Sequence, residues 1–502
     1  IIKPGLELKP IMLPFKMEEF ALINAFQNDG NQISSNEMKI GLEFNAKIDP
    51  LQLQSYLTIK DKNTNSIYFG NTSSNLTLTG STYGVITIAT TLDPTANGNG
   101  VLTTSGSANR LFNATFGTST NSFSAFNLGG TGIQTFAAGK GAQYFTDLTF
   151  TGATTSAAIF GGGVNVANAV SFTAASQALT LQGDSNFAAG ISFDGNASTI
   201  TLDSSLTSAK IQGAITTSTN NTGTLAIKGD NTFTVENQVG SSGNALSSVT
   251  IANASNAIFS SAVYANGVTI GSGDVTFGGS VTGAITLSAG AITVADSANI
   301  EGAIDNGAAS GTGSLTFEGS STVSGIVANA NSFSSIAAGA ADKTVSFSSA
   351  VNADIIEVGA GDVNFGGAVK GQINIKGGTA TIAAGYDLTG GVNNTTGADG
   401  SGNLVLSGST NVSDAVGNSN SLNSITAGAS STISTFSSTV AADLIAVDAG
   451  TVNFNDNVNG NINFTADGLV KLADSKTITG NIDSNNEREG TITLVGEGTV
   501  NG

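Results

Sequence analysis

The chain has 502 residues, of which 65 are glycine and only 11% are charged, and its formal net charge is −19. A chain this acidic, with no basic run, is not suited to bind nucleic acid. It contains no cysteine and no histidine, which excludes disulfides, thiol chemistry and imidazole-based metal or acid–base sites. No apolar run approaches the roughly 18 residues of a membrane helix.

Residues 1–65 differ in composition from the rest of the chain. All the methionines and all the prolines but Pro94 lie here, whereas glycine is scarce. The apolar residues of 15–26 are compatible with a short helix or a buried strand, and the run from Leu51 alternates partly like a strand. We predict that this segment is an N-terminal cap covering the first edge of a repeat array, with a tethering segment as the alternative.

Residues 66–223 form a second, irregular region with short strands and glycine-rich turns. Its residues 101–223 resemble a longer copy of the repeat described next, and we predict an insertion within 129–163. Phenylalanine is dense here, which predicts either a wider interior or a separate apolar patch. The residues concerned are Phe112, Phe116, Phe123, Phe126, Phe136, Phe145 and Phe150.

Residues 224–502 repeat themselves with a period of about 89 residues. Three copies occupy 224–313, 314–402 and 403–490, and a fourth begins at Thr491. Corresponding strands are Gly273-Asp-Val-Thr-Phe277, Gly361-Asp-Val-Asn-Phe365 and Gly450-Thr-Val-Asn-Phe454. Corresponding closing turns are Ile300-Glu-Gly-Ala-Ile304, Leu388-Thr-Gly-Gly-Val392 and Ile478-Thr-Gly-Asn-Ile482. A fixed period of this kind indicates an array of stacked units.

Within a copy, apolar and polar residues alternate over strands of three to six residues, and no helical period intervenes. We therefore predict an all-β, elongated, right-handed parallel β-helix with about four turns of roughly 22 residues per copy. An array of β-sandwich units is the alternative. The prediction places Phe277, Phe365 and Phe454 about four turns apart in one interior row, and likewise Phe259, Phe347 and Phe436.

Candidate chemistry is sparse. Asp274 and Asp362, each in Gly-x-Gly-Asp-Val, resemble a calcium-binding turn, but the nonapeptide that positions calcium ligands is missing, so a plain turn aspartate is favoured. Asp305, Asp354, Asp443 and Asp483 recur between copies and are interpreted as turn or strand-end residues. We predict no catalytic, cofactor-binding or metal-binding residue, with calcium as the one alternative.

An enzyme remains the alternative function, because β-helices also carry polysaccharide-degrading enzymes and phage tailspike-like depolymerases. Such sites need converging carboxylates or a basic residue, usually beside aromatic platforms for sugars. This chain has no tryptophan, and its only arginines, Arg110 and Arg488, are far apart in sequence. We therefore predict a protein that is not an enzyme.

Several segments are similar to the repeats of the rickettsial outer-membrane proteins A and B, surface cell antigens of the autotransporter type. They are Gly302-Ala-Ile-Asp-Asn306, Gly361-Asp-Val-Asn-Phe-Gly-Gly-Ala-Val369, Gly417-Asn-Ser-Asn-Ser-Leu-Asn-Ser-Ile425 and Gly480-Asn-Ile-Asp-Ser484. The resemblance covers residues 66–502 and is best over 224–490.

That resemblance implies an exported passenger on the bacterial cell surface, held by an outer-membrane barrel outside this chain. It would self-associate into a surface layer or array, bind a host-cell receptor as an adhesin, or both. Because the chain begins at Ile1 and shows no signal peptide, we expect it to be a piece of a longer, processed protein.

Overall fold

The computed structural model describes residues 91–502, apart from 153–154, 204–207 and 253, and before residue 91 it describes only short strands. The strands within residues 1–65 pair in antiparallel fashion, as Glu19–Ile23 does with Lys39–Glu43. The cap predicted for residues 1–65 lies outside the described residues. The boundaries predicted at residues 65 and 223 stay predictions.

The strands before residue 91 are Leu6–Leu8 (β1), Glu19–Ile23 (β2), Gln27–Asn28 (β3), Gln32–Ile33 (β4), Lys39–Glu43 (β5), Ile59–Asp61 (β6), Ser66–Phe69 (β7), Asn75–Leu78 (β8) and Val85–Ile88 (β9). Those that follow, up to residue 259, are Thr91–Pro94 (β10), Val101–Thr104 (β11), Asn109–Phe112 (β12), Phe123–Leu128 (β13), Ile133–Phe136 (β14), Gln143–Phe150 (β15), Ala157–Phe160 (β16), Val164–Val166 (β17), Val170–Ser171 (β18), Ala178–Leu181 (β19), Ser185–Phe187 (β20), Ile191–Ser192 (β21), Thr199–Asp203 (β22), Ala209–Gln212 (β23), Ile215–Thr216 (β24), Thr224–Lys228 (β25), Thr232–Val235 (β26), Leu246–Ile251 (β27) and Asn256–Phe259 (β28).

The remaining strands are Val263–Ile270 (β29), Val275–Phe277 (β30), Val281–Leu287 (β31), Ala291–Val294 (β32), Ile300–Glu301 (β33), Ile304–Asn306 (β34), Thr312–Phe317 (β35), Ser321–Val323 (β36), Phe333–Ala338 (β37), Thr344–Phe347 (β38), Val351–Val358 (β39), Asp362–Phe365 (β40), Val369–Ile375 (β41), Thr379–Ile382 (β42), Leu388–Thr389 (β43), Val392–Asn394 (β44), Asn403–Leu406 (β45), Thr410–Val412 (β46), Leu422–Ala427 (β47), Ile433–Phe436 (β48), Val440–Val447 (β49), Thr451–Phe454 (β50), Val458–Phe464 (β51), Leu469–Leu472 (β52), Thr477–Thr479 (β53), Ile482–Ser484 (β54), Thr491–Leu494 (β55) and Thr499–Asn501 (β56).

The described chain divides into two compact units, residues 1–258 and 259–502. From β8 onward, each is a parallel β-solenoid, in which a strand pairs with the strand one turn later: β19 with β22 in the first unit and β40 with β42 in the second. The two units contain about 19 turns, and no helix occurs among the described residues. The predicted parallel β-helix is confirmed over the β-sandwich array, and its right-handedness stays a prediction.

In the second unit the pairings form three columns of strands, which we name A, B and C in the order in which the chain visits them. Column A includes β30 and β32, column B includes β38 and β40, and column C includes β48 and β50. A turn takes from 17 residues, as between Val275 and Ile292, to 24, as between Val412 and Phe436. The length varies because the turns between the columns vary while the strands stay short.

The core fills the coil because alternate residues of each strand point inward. In β40, Val363 and Phe365 are buried, whereas Asp362 is exposed and Asn364 is intermediate. Inward residues stack on those of neighbouring turns, so that the rings of Phe347 and Phe365 lie parallel with centroids 5.6 Å apart. Each turn therefore buries its apolar face only against the turns above and below it.

The prediction that Phe277, Phe365 and Phe454 share one interior row is wrong. In column A, Val358 lies four turns after Phe277, and the next strand of the chain, which contains Phe365, lies in column B. In column B, Val447 lies four turns after Phe365, and the next strand, which contains Phe454, lies in column C. One copy of the repeat therefore spans four and a third turns, and the next copy is rotated by one column.

The same correction applies to Phe259, Phe347 and Phe436. Each stacks on its nearest neighbour within one column: Phe259 on Phe277, Phe347 on Phe365, and Phe436 on Phe454. Each column thus receives one phenylalanine pair. The copies were expected to align because a period of about 89 residues is close to four turns, and the extra third of a turn was not visible in the spacing.

In the first unit, the phenylalanine-dense region forms part of the core. The seven phenylalanines named above are at most 1% exposed, and most of the rings pack on one another, with Phe112 and Phe136 centroids 4.6 Å apart. Strands β14, β15 and β16 occupy regular places in the solenoid, and the insertion predicted within 129–163 stays a prediction.

Candidate functional surface

The recurrent aspartates act as hydrogen-bond acceptors for the backbone or for serine side chains. Asp274 Oδ1 accepts the Ala291 N–H at 3.0 Å, and Asp305 Oδ1 accepts the Asn329 N–H at 3.2 Å. Each bond joins a turn to the next one along the coil. Asp274 lies in the turn before β30, whereas Asp305, predicted to be a turn or strand-end residue, lies in the middle of β34.

Three further candidates lie on the surface apart from one another. Asp354 accepts the Ser332 hydroxyl at 2.6 Å, and Asp443 accepts the corresponding Ser421 hydroxyl at 2.8 Å in the next copy. Asp483 accepts the N–H of the adjacent Ser484. Across the described ranges, no group of three acidic residues could hold a metal ion, and Asp274 and Asp362 are not brought into such a group.

Inter-turn bonds of this kind are made by asparagine as well as aspartate. Asn299 Oδ1 accepts the Thr322 N–H at 2.8 Å, and Asn457 Oδ1 accepts the Thr477 N–H at 2.9 Å. Asp387 accepts the Asn411 N–H in the same way, at 2.9 Å. The side-chain oxygen is therefore what the fold uses, and the negative charge of the aspartates is additional to it.

Each copy in the second unit carries one long exposed loop, and in the first two copies a buried asparagine holds it. Asn394, which is fully buried, donates to the carbonyls of Ala398 and Ser421 and accepts from Thr396. Asn306 holds the preceding loop through the same kinds of bond. The loops at 306–313 and 394–402 are thus presented in a fixed form. Sequence analysis missed this role, although the asparagine before each glycine-rich run was a usable signal.

A column of glycines accounts for the closing turn of each copy. A Cβ on Gly302 would lie 2.2 Å from the Gly283 carbonyl oxygen, and one on Gly480 would lie 2.3 Å from that of Gly460. Consecutive turns approach too closely here for any side chain. The glycine of the closing turn is therefore required by the stacking of the coil rather than by a ligand.

Charge is unevenly divided between the two units. Residues 259–502 hold 21 of the 36 acidic residues but only 6 of the 17 lysines and arginines, a net charge of −15. Some of these carboxyl groups are stabilised in their charged form. The Lys343 ammonium lowers the pKa of Asp296, the Lys476 ammonium lowers that of Asp456, and the Glu497 N–H lowers that of Asp474.

One polar side chain is buried in the first unit with no acidic partner among its contacts. Arg110 is 1% exposed, and its guanidinium donates to the carbonyls of Leu78, Ser105 and Ala108 and to Gln134 Oε1. Desolvation lowers the pKa of Arg110. The carbonyl oxygens therefore stand in for a counter-ion, and the role of this arginine is structural.

Two surface grooves bear on the alternative function, because a polysaccharide-degrading enzyme would need carboxylates or a basic residue in such a groove. The groove in the first unit is lined by Asn186, Gln212, Gly213 and Asn237 among others, and that in the second unit by Gly417, Thr439, Asn459 and Thr479 among others. Neither lining contains a carboxylate, a lysine or an arginine. These grooves therefore offer no general acid or base for glycoside cleavage.

No helix in the described part of the chain is long and apolar enough to cross a membrane. Comparison with protein-family models gives no match, and no solved structure matches either. Among curated proteins, the chain is similar to outer membrane protein A of Rickettsia rickettsii, with 31% identity over 249 residues. That match covers 47% of this chain and only 9% of the rickettsial protein. Over about half its length, this chain is a distant homologue of rickettsial outer membrane protein A.

Proposed function

We propose that this chain is part of an exported β-helical passenger, displayed on a bacterial cell surface, that has no enzymatic activity and acts through the outside of its coil. The observation that carries the proposal is the homology to an outer membrane protein. The name of the rickettsial protein places it in the outer membrane, and we propose the same cell-surface location for this chain.

The fold supports a structural and adhesive role. In each unit the solenoid stacks short turns whose outward residues are mostly Ser, Thr, Asn and Gly, and the chain has no cysteine to form disulfides. Repeated turns offer repeated contact surfaces, which favours multivalent adhesion or assembly into a surface layer. A host-cell receptor and other copies of the chain are the partners proposed.

Adhesion is tested with beads coated with the full 502-residue chain and offered to cultured animal cells. We expect saturable binding that soluble chain competes away, and no such binding by beads coated with heat-denatured chain. Equal binding by native and denatured coats would refute a role for the folded flank. Assembly is tested separately by negative-stain microscopy of the purified chain, where ordered sheets or filaments are expected and dispersed monomers at all salt and calcium concentrations would contradict it.

The competing depolymerase is tested by incubating the chain with capsular and cell-wall polysaccharides. We expect no reducing ends to be released. Turnover abolished by substituting one carboxylate would overturn the proposal.

A further inference from the structure

Because one copy of the repeat spans four and a third turns, the long loop of each copy lies at a different corner of the coil from the loop of the copy before it. The loop at 306–313 connects column C to column A, that at 394–402 connects A to B, and that at 484–490 connects B to C. With about 4.8 Å per turn, successive copies are displaced by about 21 Å along the coil and rotated by about a third of a turn. The second unit therefore presents one long loop at each of its three corners, which we name CA, AB and BC.

The acidic residues follow the same distribution. Fourteen of the 21 acidic residues of this unit lie in turns between columns, and none of the fourteen is buried. Corner AB holds Asp296, Glu318, Asp342 and Asp399; corner BC holds Asp387, Asp448, Asp467, Glu487 and Glu489; corner CA holds Asp274, Asp414, Asp456, Asp474 and Glu497. The negative charge is thus spread evenly around the unit rather than gathered on one side.

From this arrangement we propose that residues 259–502 form an interaction surface without a preferred side, and that the partner it fits is a protein surface rich in lysine and arginine. The proposal deepens the adhesive function proposed above and rests on it. A molecule held at one point on a cell can then engage its target at whichever corner faces it. The rotation between copies places similar acidic turns at all three corners, so the unit does not need three different binding sites.

At the acidic corners of this unit, charge favours a basic partner over the same corners of a second copy, so the proposed assembly of copies would use other parts of the chain. Two units that each carry −15 repel when their flanks approach within a Debye length, about 8 Å at physiological salt. Three of the unit's six cations, Lys343, Lys376 and Lys476, are paired within the unit with Asp296, Glu357 and Asp456, so they are not free to bridge to a second copy. A basic surface gains both attraction and faster encounter from the same field.

The test uses the full chain and immobilised poly-L-lysine as the probe. Four variants each neutralise four acidic residues, with Asp replaced by Asn and Glu by Gln; Asn is already the acceptor in corresponding bonds at Asn299 and Asn457, so the fold is retained. The corner variants change Asp296, Glu318, Asp342 and Asp399; Asp387, Asp448, Asp467 and Glu487; or Asp274, Asp414, Asp456 and Asp474. The control changes Asp147, Asp184, Asp194 and Asp230 in the first unit.

We expect the three corner variants to lose affinity equally, within about twofold of one another and each about three- to tenfold below the parent, with binding abolished at about 0.5 M salt. The control should stay within about twofold of the parent. The proposal is overturned if one corner variant loses far more than the other two, if the control loses as much, or if the parent does not bind. Self-association of the parent that disappears when the corner carboxylates are neutralised would point to a second copy as the occupant of these corners instead.

This test and the cell-binding test fail separately. Loss of bead adhesion with equal corner effects on poly-lysine would refute the proposed function and leave the charge geometry intact. Adhesion that a single corner variant abolishes would keep the function and refute the inference.

Discussion

Replacing Gly390 with alanine should break the stacking of one turn. Gly390 has φ = +145°, and a Cβ there would lie 2.1 Å from the Gly371 carbonyl oxygen one turn earlier. The backbone conformation alone costs about 1–3 kcal/mol for a residue with a side chain. Relieving the overlap requires the two turns to separate, which costs about 1–3 kcal/mol more, as overpacking does. We expect a total loss of about 3–5 kcal/mol.

Gly267 supplies the matched control. A Cβ at this position meets nothing within 4 Å, and the corresponding residues of the next two copies are Ile355 and Leu444. Gly267→Ala should therefore be neutral or stabilise slightly by restricting the unfolded chain. Urea unfolding followed by far-UV circular dichroism compares the two variants, and amide exchange over residues 369–394 shows whether the loss is local to the altered turns. Equal unfolding midpoints for Gly390→Ala and Gly267→Ala would refute the role assigned to the glycine column.

Two further predictions concern charged groups. The Glu497 N–H lowers the pKa of Asp474 in the folded state below the ordinary value of 3.8. The stabilising contribution of this carboxylate is therefore complete above pH 3.8 and is lost as the pH falls through the folded-state pKa. The melting temperature should fall below about pH 3.8, and it should fall less in Asp474→Asn; an identical fall in both proteins would contradict the assignment. Arg110→Ala should cost about 3–5 kcal/mol and Arg110→Met about 1–3, because methionine refills the space but leaves the carbonyls of Ser105 and Ala108 without the guanidinium. Exposed Arg488→Ala is the control, expected within about 0.5 kcal/mol of the parent by thermal unfolding, and an equally mild Arg110→Ala would show the buried guanidinium to be dispensable.

Local features of the fold were predictable because they depend on neighbouring residues. Alternation in Asp362-Val-Asn-Phe365 predicts a strand with Val363 and Phe365 inside, and the structure has this strand. The closing glycines were recognised as turns, although the close approach of Gly283 to Gly302 that requires them was not. The parallel pairing followed from short strands without intervening helices.

Features that depend on contacts between neighbouring turns, whose residues are distant in sequence, were not predictable in the same way. Arg110 can be buried because the backbone carbonyls of Leu78, Ser105 and Ala108 all accept from it. The sequence around Arg110 does not show that these carbonyls meet at one place. The role of Asp274 as an acceptor for the next turn depends on knowing which residue lies above it, here Ala291. Because a turn of the coil takes from 17 to 24 residues, the spacing in the sequence does not show which residues of successive turns lie above one another.

The extra third of a turn also has a physical consequence inside the coil. If each copy took a whole number of turns, the pairs Phe259–Phe277, Phe347–Phe365 and Phe436–Phe454 would all lie in one column. That column would be bulky at regular intervals, while the other two held mostly Val, Ile, Leu and smaller residues. With the offset, each column of the second unit receives one pair, and the rings within a pair still stack at 5.3–5.6 Å. Close packing without strain favours this even distribution of volume. The rotation that spreads the carboxylates over three corners outside therefore also spreads the large rings over three columns inside, so an altered repeat length would disturb both at once.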